Sequence, residues 1–402
     1  MRTDMKRYEK ELIPGIVMGT MLPVWEKPTM KEEISDVLDT LLHGQMVRVT
    51  EIGPDESYTD NMPYNAMRFG RMLHFVTDYG YEGYITDLGE RIQTLEYMDE
   101  FQTVGDLGYE DAERMENMWG RYRAIAEAYA GFYKEAEEMG YGNVYNCKCG
   151  LRTVWAACAD LVSIPDITNT TCDRIPVYRG TKLLAAEDQS GVKNGWTKVY
   201  IMNTPFFGEN FFEDDDEDID DEYAFYIRSS AICPPFELVD VEYDEGTKLE
   251  DCSVYGHVIP LDEEKFRENV VKTAKLYLGT QYRWAGKTPQ GIDCSGLCSM
   301  AYMLNGVYIY RDASIEEQYP VKEIVSAEEW SEDPMKALSK LKPGDLIYFK
   351  GHIAMYIGDC KYIHSTAKAG SDGVVINSFR STDDCFRQDL YDGVTACGSI
   401  FV

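Results

Sequence analysis

From Gly15 to Glu90, apolar and polar residues alternate over short runs separated by turn residues. The runs are Ile16-Val17-Met18, Leu22-Pro23-Val24-Trp25, Met46-Val47-Arg48-Val49-Thr50, Leu73-His74-Phe75-Val76 and Tyr81 to Ile85. Alternation with a period of two places every second side chain on one face, and several short strands at this spacing predict a small β-barrel. A weaker echo runs from Thr153 to Ala231. There Ser163-Ile164-Pro165 answers Met21-Leu22-Pro23, Gly180 to Leu184 answers Gly44 to Arg48, and Trp196 to Val199 answers Leu73 to Val76. The echo predicts a second copy of the same barrel. Between the copies the period lengthens: Met115, Met118, Trp119, Tyr122, Ile125, Ala126, Tyr129 and Phe132 give a helix one apolar face, suited to docking between domains. After Leu261 the pattern predicts a helix over Glu263 to Leu278 and another after Asp293. Strands follow at Asp345 to Phe349, His352 to Ile357, Lys361 to His364 and Val374 to Ile376. Helices followed by an antiparallel sheet read as α+β. The chain is therefore read as multidomain: a barrel over 10–105, a helical insertion over 106–150, a second barrel over 151–240 and an α+β domain over 261–402.

Composition narrows the partners. The 39 Lys+Arg against 70 Asp+Glu leave a formal charge of −31, which argues against nucleic acid and against anionic membranes or wall polymers as the main partner. A small solute remains open, since a local site can differ in sign from the whole surface. The acidic run Glu213 to Glu222, inside the second barrel, reads as a solvated, self-repelling loop. No apolar run has the length of a signal peptide or a membrane span, and the eleven cysteines, none before Cys147, are not spaced like a disulfide framework. A reduced, cytoplasmic protein is expected, with an extracellular one as the alternative. Cys147-Lys148-Cys149 lacks a second pair to complete a tetrahedral metal site, and no phosphate-binding glycine loop is present. Neither metal nor cofactor is expected.

The chemistry concentrates in the last domain. Gly291-Ile292-Asp293-Cys294-Ser295-Gly296 leads into Leu297, Met300, Ala301 and Leu304, an apolar helical face. Cys294 thus falls in the first turn of a buried helix, where unpaired N–H groups and the dipole favour a thiolate and should lower its pKa. Cys298, one turn on, reads as core. A thiol nucleophile needs a base. Of five histidines, His43, His74 and His257 stand alone, while His352 and His364 fall on consecutive strands joined by Gly358-Asp359-Cys360. With a three-residue loop, Ala354 lies opposite His364, and His352 is its diagonal neighbour on the same face. With a two-residue loop the rings point to opposite faces. A lone half-buried histidine is usually a satisfied core residue; two on one face beside a helix-start cysteine fit nucleophile, base and orienter.

These blocks resemble the NlpC family of papain-like bacterial cysteine peptidases: Asp293-Cys294-Ser295-Gly296-Leu297, Gly344-Asp345-Leu346 to Phe349, Gly351 to Gly358 and Tyr362-Ile363-His364-Ser365. The strand pattern and domain order upstream resemble the bacterial SH3-like domains that precede this peptidase in γ-D-glutamyl-L-diamino acid endopeptidases of the YkfC type. The resemblance implies a cofactor-free hydrolase that cleaves the γ-D-glutamyl–diamino acid bond of murein stem peptides. It makes Cys294 the nucleophile, His352 the base and His364 the orienting member. Tyr282 then falls near the oxyanion and substrate, and Trp284 in the pocket wall. From the first barrel the resemblance implies a tyrosine that helps hold the substrate's free N-terminal amine, Tyr81 being favoured over Tyr84, with Asp293 as carboxylate partner and Ser295 beside it. Arg311-Asp312-Ala313-Ser314 resembles the family's post-helix segment, in which Ala313 replaces the commoner serine unless Ser314 stands in for it. Asp312 and Ala313 join the expected substrate site on that basis. A closed amine pocket would select free L-Ala-γ-D-Glu-diamino acid peptides, as in peptidoglycan recycling. The rivals are a secreted hydrolase of intact wall, with a groove open at both ends, and a non-catalytic murein-peptide-binding protein.

Overall fold

Seven strands make the first sheet: β1 (Ile13–Val17), β2 (Met21–Trp25), β3 (Val37–Leu42), β4 (Met46–Ile52), β5 (Gly70–Thr77), β6 (Glu82–Leu88) and β7 (Ile92–Thr94). In the computed structural model the described residues are 13–27, 37–52, 70–77, 81–88, 92–94, 151–186, 188–200, 224–243, 258–317 and 319–402. The insertion over 106–150, the acidic run Glu213 to Glu222, the Cys147-Lys148-Cys149 segment and His257 lie outside them. By its contacts the chain divides into two units. Of the described residues, one holds those up to 77, 82–94 and 151–233; the other holds Tyr81 and those from 234 onward.

In the first unit the spatial order is β3-β2-β6-β5-β4-β1-β7, and alternate residues such as Leu22, Val24, Val47, Val49, Leu73 and Phe75 bury one apolar cluster. A second sheet comprises β8 (Leu151–Thr153), β9 (Cys158–Val162), β10 (Arg174–Tyr178), β11 (Lys182–Ala185), β12 (Trp196–Tyr200) and β13 (Ala224–Arg228). Its order, β10-β9-β13-β12-β11-β8, repeats the path of the first six strands. Gly44 (φ 77°) and Gly180 (φ 96°) turn the chain into β4 and β11 alike, in a conformation that an L side chain resists. One part of the expected echo is corrected. Ser163-Ile164-Pro165 lies in bends past the strand, and β9 is the counterpart of β2. The side chains of Asp166 and Asn169 accept the N–H groups of Thr168 and Thr171, and these local turns draw the backbone off the ladder.

The second unit carries β14 (Val241–Tyr243), β15 (Val258–Pro260), α1 (Glu263–Lys275), β16 (Lys287–Thr288), β17 (Gly291–Ile292) and α2 (Cys294–Met303). It continues with β18 (Lys322–Ser326), α3 (Ala327–Glu332), α4 (Pro334–Leu338), β19 (Leu346–Phe349), β20 (His352–Gly358), β21 (Lys361–Thr366), β22 (Gly373–Ser378), α5 (Gln388–Tyr391) and β23 (Val394–Ser399). The main sheet runs β18-β23-β19-β20-β21-β22, antiparallel throughout. Every residue of α2 is buried, as its nearly uninterrupted apolar sequence requires. It packs on α1, β20 and β21, which sets its N-terminus beside the middle of the sheet. Among the described residues no helix is long and apolar enough to cross a membrane.

Candidate active site

Asp293 caps α2. Its side chain accepts the Gly296 N–H and its carbonyl accepts that of Leu297, so the first turn starts at Cys294. The preceding loop presses close, and a Cβ at Gly296 would collide with the Gly286 carbonyl. Ser365 Oγ donates to the Ile292 carbonyl at 2.7 Å, tying this loop to β21. Cys294 is 8% exposed, and its sulfur receives the backbone N–H groups of Ser295 and Ile353. The second donor sets the thiol against β20, one residue after His352. The expected depression of its pKa is overturned. Burial first and Asp293 second push the thiol up to about 11, outweighing the two N–H groups and Arg311. Cys298 is fully buried core.

The hairpin between β20 and β21 combines features of both loop expectations. Its turn has two residues, Asp359 and Cys360, both left-handed at φ 51° and 58°. Gly358 pairs with Lys361, and an irregularity then shifts the ladder to Tyr356↔Tyr362 and Met355↔Ile363. Extended inward, that register sets Ala354 opposite His364 and makes His352 a diagonal neighbour on the same face. The rings meet: His352 Nε2 lies 2.7 Å from His364 Nδ1. His364 Nε2 in turn lies 2.8 Å from Asn377 Oδ1 on β22, and Asn377 Nδ2 donates to the Cys385 carbonyl at 2.8 Å. Burial drives His352 down to about 4 and His364 to about 3, so both rings are neutral at pH 7. Asn377 was not singled out from the sequence. Its signal was there: β22 pairs His364 with Val375 and Tyr362 with Asn377, so the alternation, carried one residue past Ile376, brings Asn377 to the face of His364.

A second polar network borders the thiol. Arg311 Nη1 and Nη2 lie 3.0 Å from the two oxygens of Asp293, and Nη1 donates to Ser295 Oγ at 2.7 Å. This corrects the expectation for Asp293 and Ser295. A carboxylate committed to a guanidinium through both oxygens, with an N-cap besides, is poorly placed to hold a substrate amine. The carboxylate beside the tyrosine is Asp312: Tyr81, which belongs to the second unit, donates its hydroxyl to both Asp312 oxygens at 3.3 Å. The Tyr81 ring also packs on Tyr310, with centroids 6.2 Å apart. Tyr84 is half-buried in β6, its ring 5.4 Å from that of His74. Tyr282 is half-buried, and burial with Cys294 and Asp293 raises its phenol to about 12, keeping it a hydrogen-bond donor. Ala313 follows Asp312, half-buried and without a hydroxyl, while the Ser314 hydroxyl is spent on Glu316 at 3.2 Å. Trp284 is 67% exposed, too open for the wall of a closed pocket. Among the described residues no cluster of three or more His, Cys, Asp or Glu could hold a metal ion.

Comparison with known proteins bears on this arrangement. Residues 279–384 match the NlpC/P60 family. The dipeptidyl-peptidase 6 of Lysinibacillus sphaericus is 49% identical over 291 residues, covering 72% of this chain and 87% of that protein. A gamma-D-glutamyl-L-lysine dipeptidyl-peptidase of Bacillus cereus is 37% identical over 108 residues, 24% of this chain and 28% of that one. Among solved structures, an NlpC/P60 family protein from Bacillus cereus is similar in fold, with a TM-score of 0.51 over 96% of this chain and 98% of that one, at 14% identity. The matched segment holds Cys294, His352, His364 and Asn377, and the Lysinibacillus relationship spans most of both chains: this protein belongs to the NlpC/P60 family.

Proposed function

We propose that the protein is a cysteine peptidase that hydrolyses the γ-D-glutamyl–diamino acid bond of free murein stem peptides with an unblocked N-terminal L-Ala. One observation carries this reading: His352, its Nε2 engaged by His364, has Nδ1 as its other ring nitrogen, on the strand whose Ile353 N–H donates to the Cys294 sulfur. Cys294 Sγ attacks the γ-carbonyl carbon while its proton passes to His352 Nδ1. The backbone N–H of Cys294 itself and the Tyr282 hydroxyl stabilise the oxyanion. The imidazolium then protonates the leaving amine, the C–N bond breaks, and a thioester remains on Cys294. Water, deprotonated by the same ring, attacks the thioester; the C–S bond breaks and the thiol is restored.

The choice of substrate rests on Tyr81 and Asp312. A carboxylate beside a phenol oxygen offers acceptors to the three donors of an ammonium, and an N-acylated terminus lacks that charge. Relatives named as dipeptidyl-peptidases and as gamma-D-glutamyl-L-lysine dipeptidyl-peptidase support release of a dipeptide from a free N-terminus at this type of bond. The two sheets of common strand order serve in this reading as an SH3-like pair upstream of the peptidase. A net charge of −31, repelled by polyanionic wall, favours action on peptides already released, in the cytoplasm. The test incubates the protein with L-Ala-γ-D-Glu-diaminopimelate and with its N-acetylated form. Release of diaminopimelate from the first alone is expected. Equal cleavage of both would reject the amine site and restore the wall-hydrolase reading.

A further inference from the structure

Two neutral imidazoles joined by one hydrogen bond can carry their protons in either direction, and only one direction is productive. If His352 Nε2 holds the proton, its Nδ1 is a lone pair that can take the thiol proton. If His364 Nδ1 holds it, His352 Nδ1 carries a hydrogen and cannot act as base. Nothing in the histidine pair itself decides between them. We propose that Asn377 decides: it is a positioning residue whose amide, fixed by the Cys385 carbonyl, sets the tautomers of both rings and so turns the proton acceptor of His352 toward Cys294. This rests on the reading of Cys294 as nucleophile.

The argument runs inward from the backbone. A carbonyl only accepts, so the group 2.8 Å from the Cys385 oxygen is the Asn377 amide nitrogen, and Oδ1 is the atom facing His364. Oδ1 also only accepts, so His364 Nε2 carries the hydrogen. With His364 neutral, its Nδ1 is a lone pair, and the hydrogen of the 2.7 Å bond belongs to His352 Nε2. All three hydrogen bonds then point one way, from His352 to the Cys385 carbonyl. That carbonyl is itself anchored, accepting the Ser378 N–H at 3.1 Å, while Ser378 Oγ donates to Asp383 at 2.7 Å and closes the segment after β22. Arg387 and Asp389 also act on both rings, with opposite signs, and Asp389 is held by Arg387 and Lys368. An uncharged amide at 377 thus orients His364 without adding a charge that would hold a proton on the ring.

The direct test is the 15N spectrum of the full-length protein labelled in its histidines, recorded without substrate. The proposal requires His352 with Nε2 protonated and Nδ1 bare, and His364 of the same tautomer. A proton on His352 Nδ1 at neutral pH overturns it. Two variants extend the test. Asn377→Ala should lower kcat about 100-fold with KM changed less than about 2-fold. Asn377→Asp, similar in shape but anionic, should raise the acidic limb of kcat/KM by about one pH unit or more. A role in stability alone would lower the melting temperature and leave both the limb and the tautomers as they were. Peptide hydrolysis by the wild type tests the nucleophile separately, because the ring tautomers are read whether or not any peptide is cleaved.

Discussion

Two polar networks border Cys294, and they rest on different physics. The run from His352 through His364 to Asn377 carries no formal charge, because burial holds both imidazoles far below their ordinary range. Asp293 and Arg311 form an ion pair, with Ser295 accepting from the guanidinium and the Arg311 side chain only 1% exposed. A neutral run of hydrogen bonds leaves the free ring nitrogen of His352 able to take a proton and give it back. A guanidinium does not give up its proton, and its planar fork locks the carboxylate that caps α2. Charge therefore serves the architecture of this site, and neutrality serves its chemistry.

The comparison can be broken at the ion pair first. Arg311→Met should cost about 3–5 kcal/mol of unfolding free energy in urea, because it strands a buried carboxylate. Adding Asp293→Leu should recover much of that loss, less about 1 kcal/mol for the missing N-cap. A single-variant cost below about 1 kcal/mol would mean that the pair is not structural. Next in size is the substrate amine. Asp312→Asn should raise KM for the free tripeptide about 10-fold to 100-fold with little change in kcat, as expected for one charge-assisted interaction.

The neutral network is probed by acid. His352 must be unprotonated to act, so kcat/KM should fall on a limb near pH 4, not near the ordinary histidine value of 6.5. Stability has a matching sign. Below 6.5 the unfolded chain takes up protons that the folded rings refuse, so unfolding free energy should decline as pH falls from about 6.5 toward 4. Flat stability across that window, together with a limb near 6.5, would show solvated, ordinary histidines. The smallest effect belongs to the turn. Cys360→Gly, at φ 58°, should change stability by less than about 1 kcal/mol and leave activity intact, since the ladder irregularity beyond the turn sets the histidine register.

Much of this was legible along the chain. Alternation located β2, β4, β5, β19, β20 and β21, and the spacing of the two histidines defined what the hairpin had to do. The remainder depends on residues far apart in sequence. β23, Val-Thr-Ala-Cys-Gly-Ser, has no marked pattern and becomes a strand because β18 and β19 flank it. The β3 run Val-Leu-Asp-Thr-Leu-Leu has no clean period of two. Asp293 and Arg311 lie eighteen positions apart, and only folding shows that each is the other's counter-charge. The thiol's pKa turned on burial by surrounding elements, which a helix-start argument does not weigh.

Trapping the covalent intermediate tests the central claim most directly. The protein is mixed with L-Ala-γ-D-Glu-diaminopimelate, quenched in acid within the first turnover, digested and mapped by mass spectrometry across its eleven cysteines. The account predicts an L-Ala-γ-D-Glu thioester on Cys294, absent from Cys294→Ser, which should also be inactive. Acylation at another cysteine, or peptide cleavage that survives in Cys294→Ser, would contradict it.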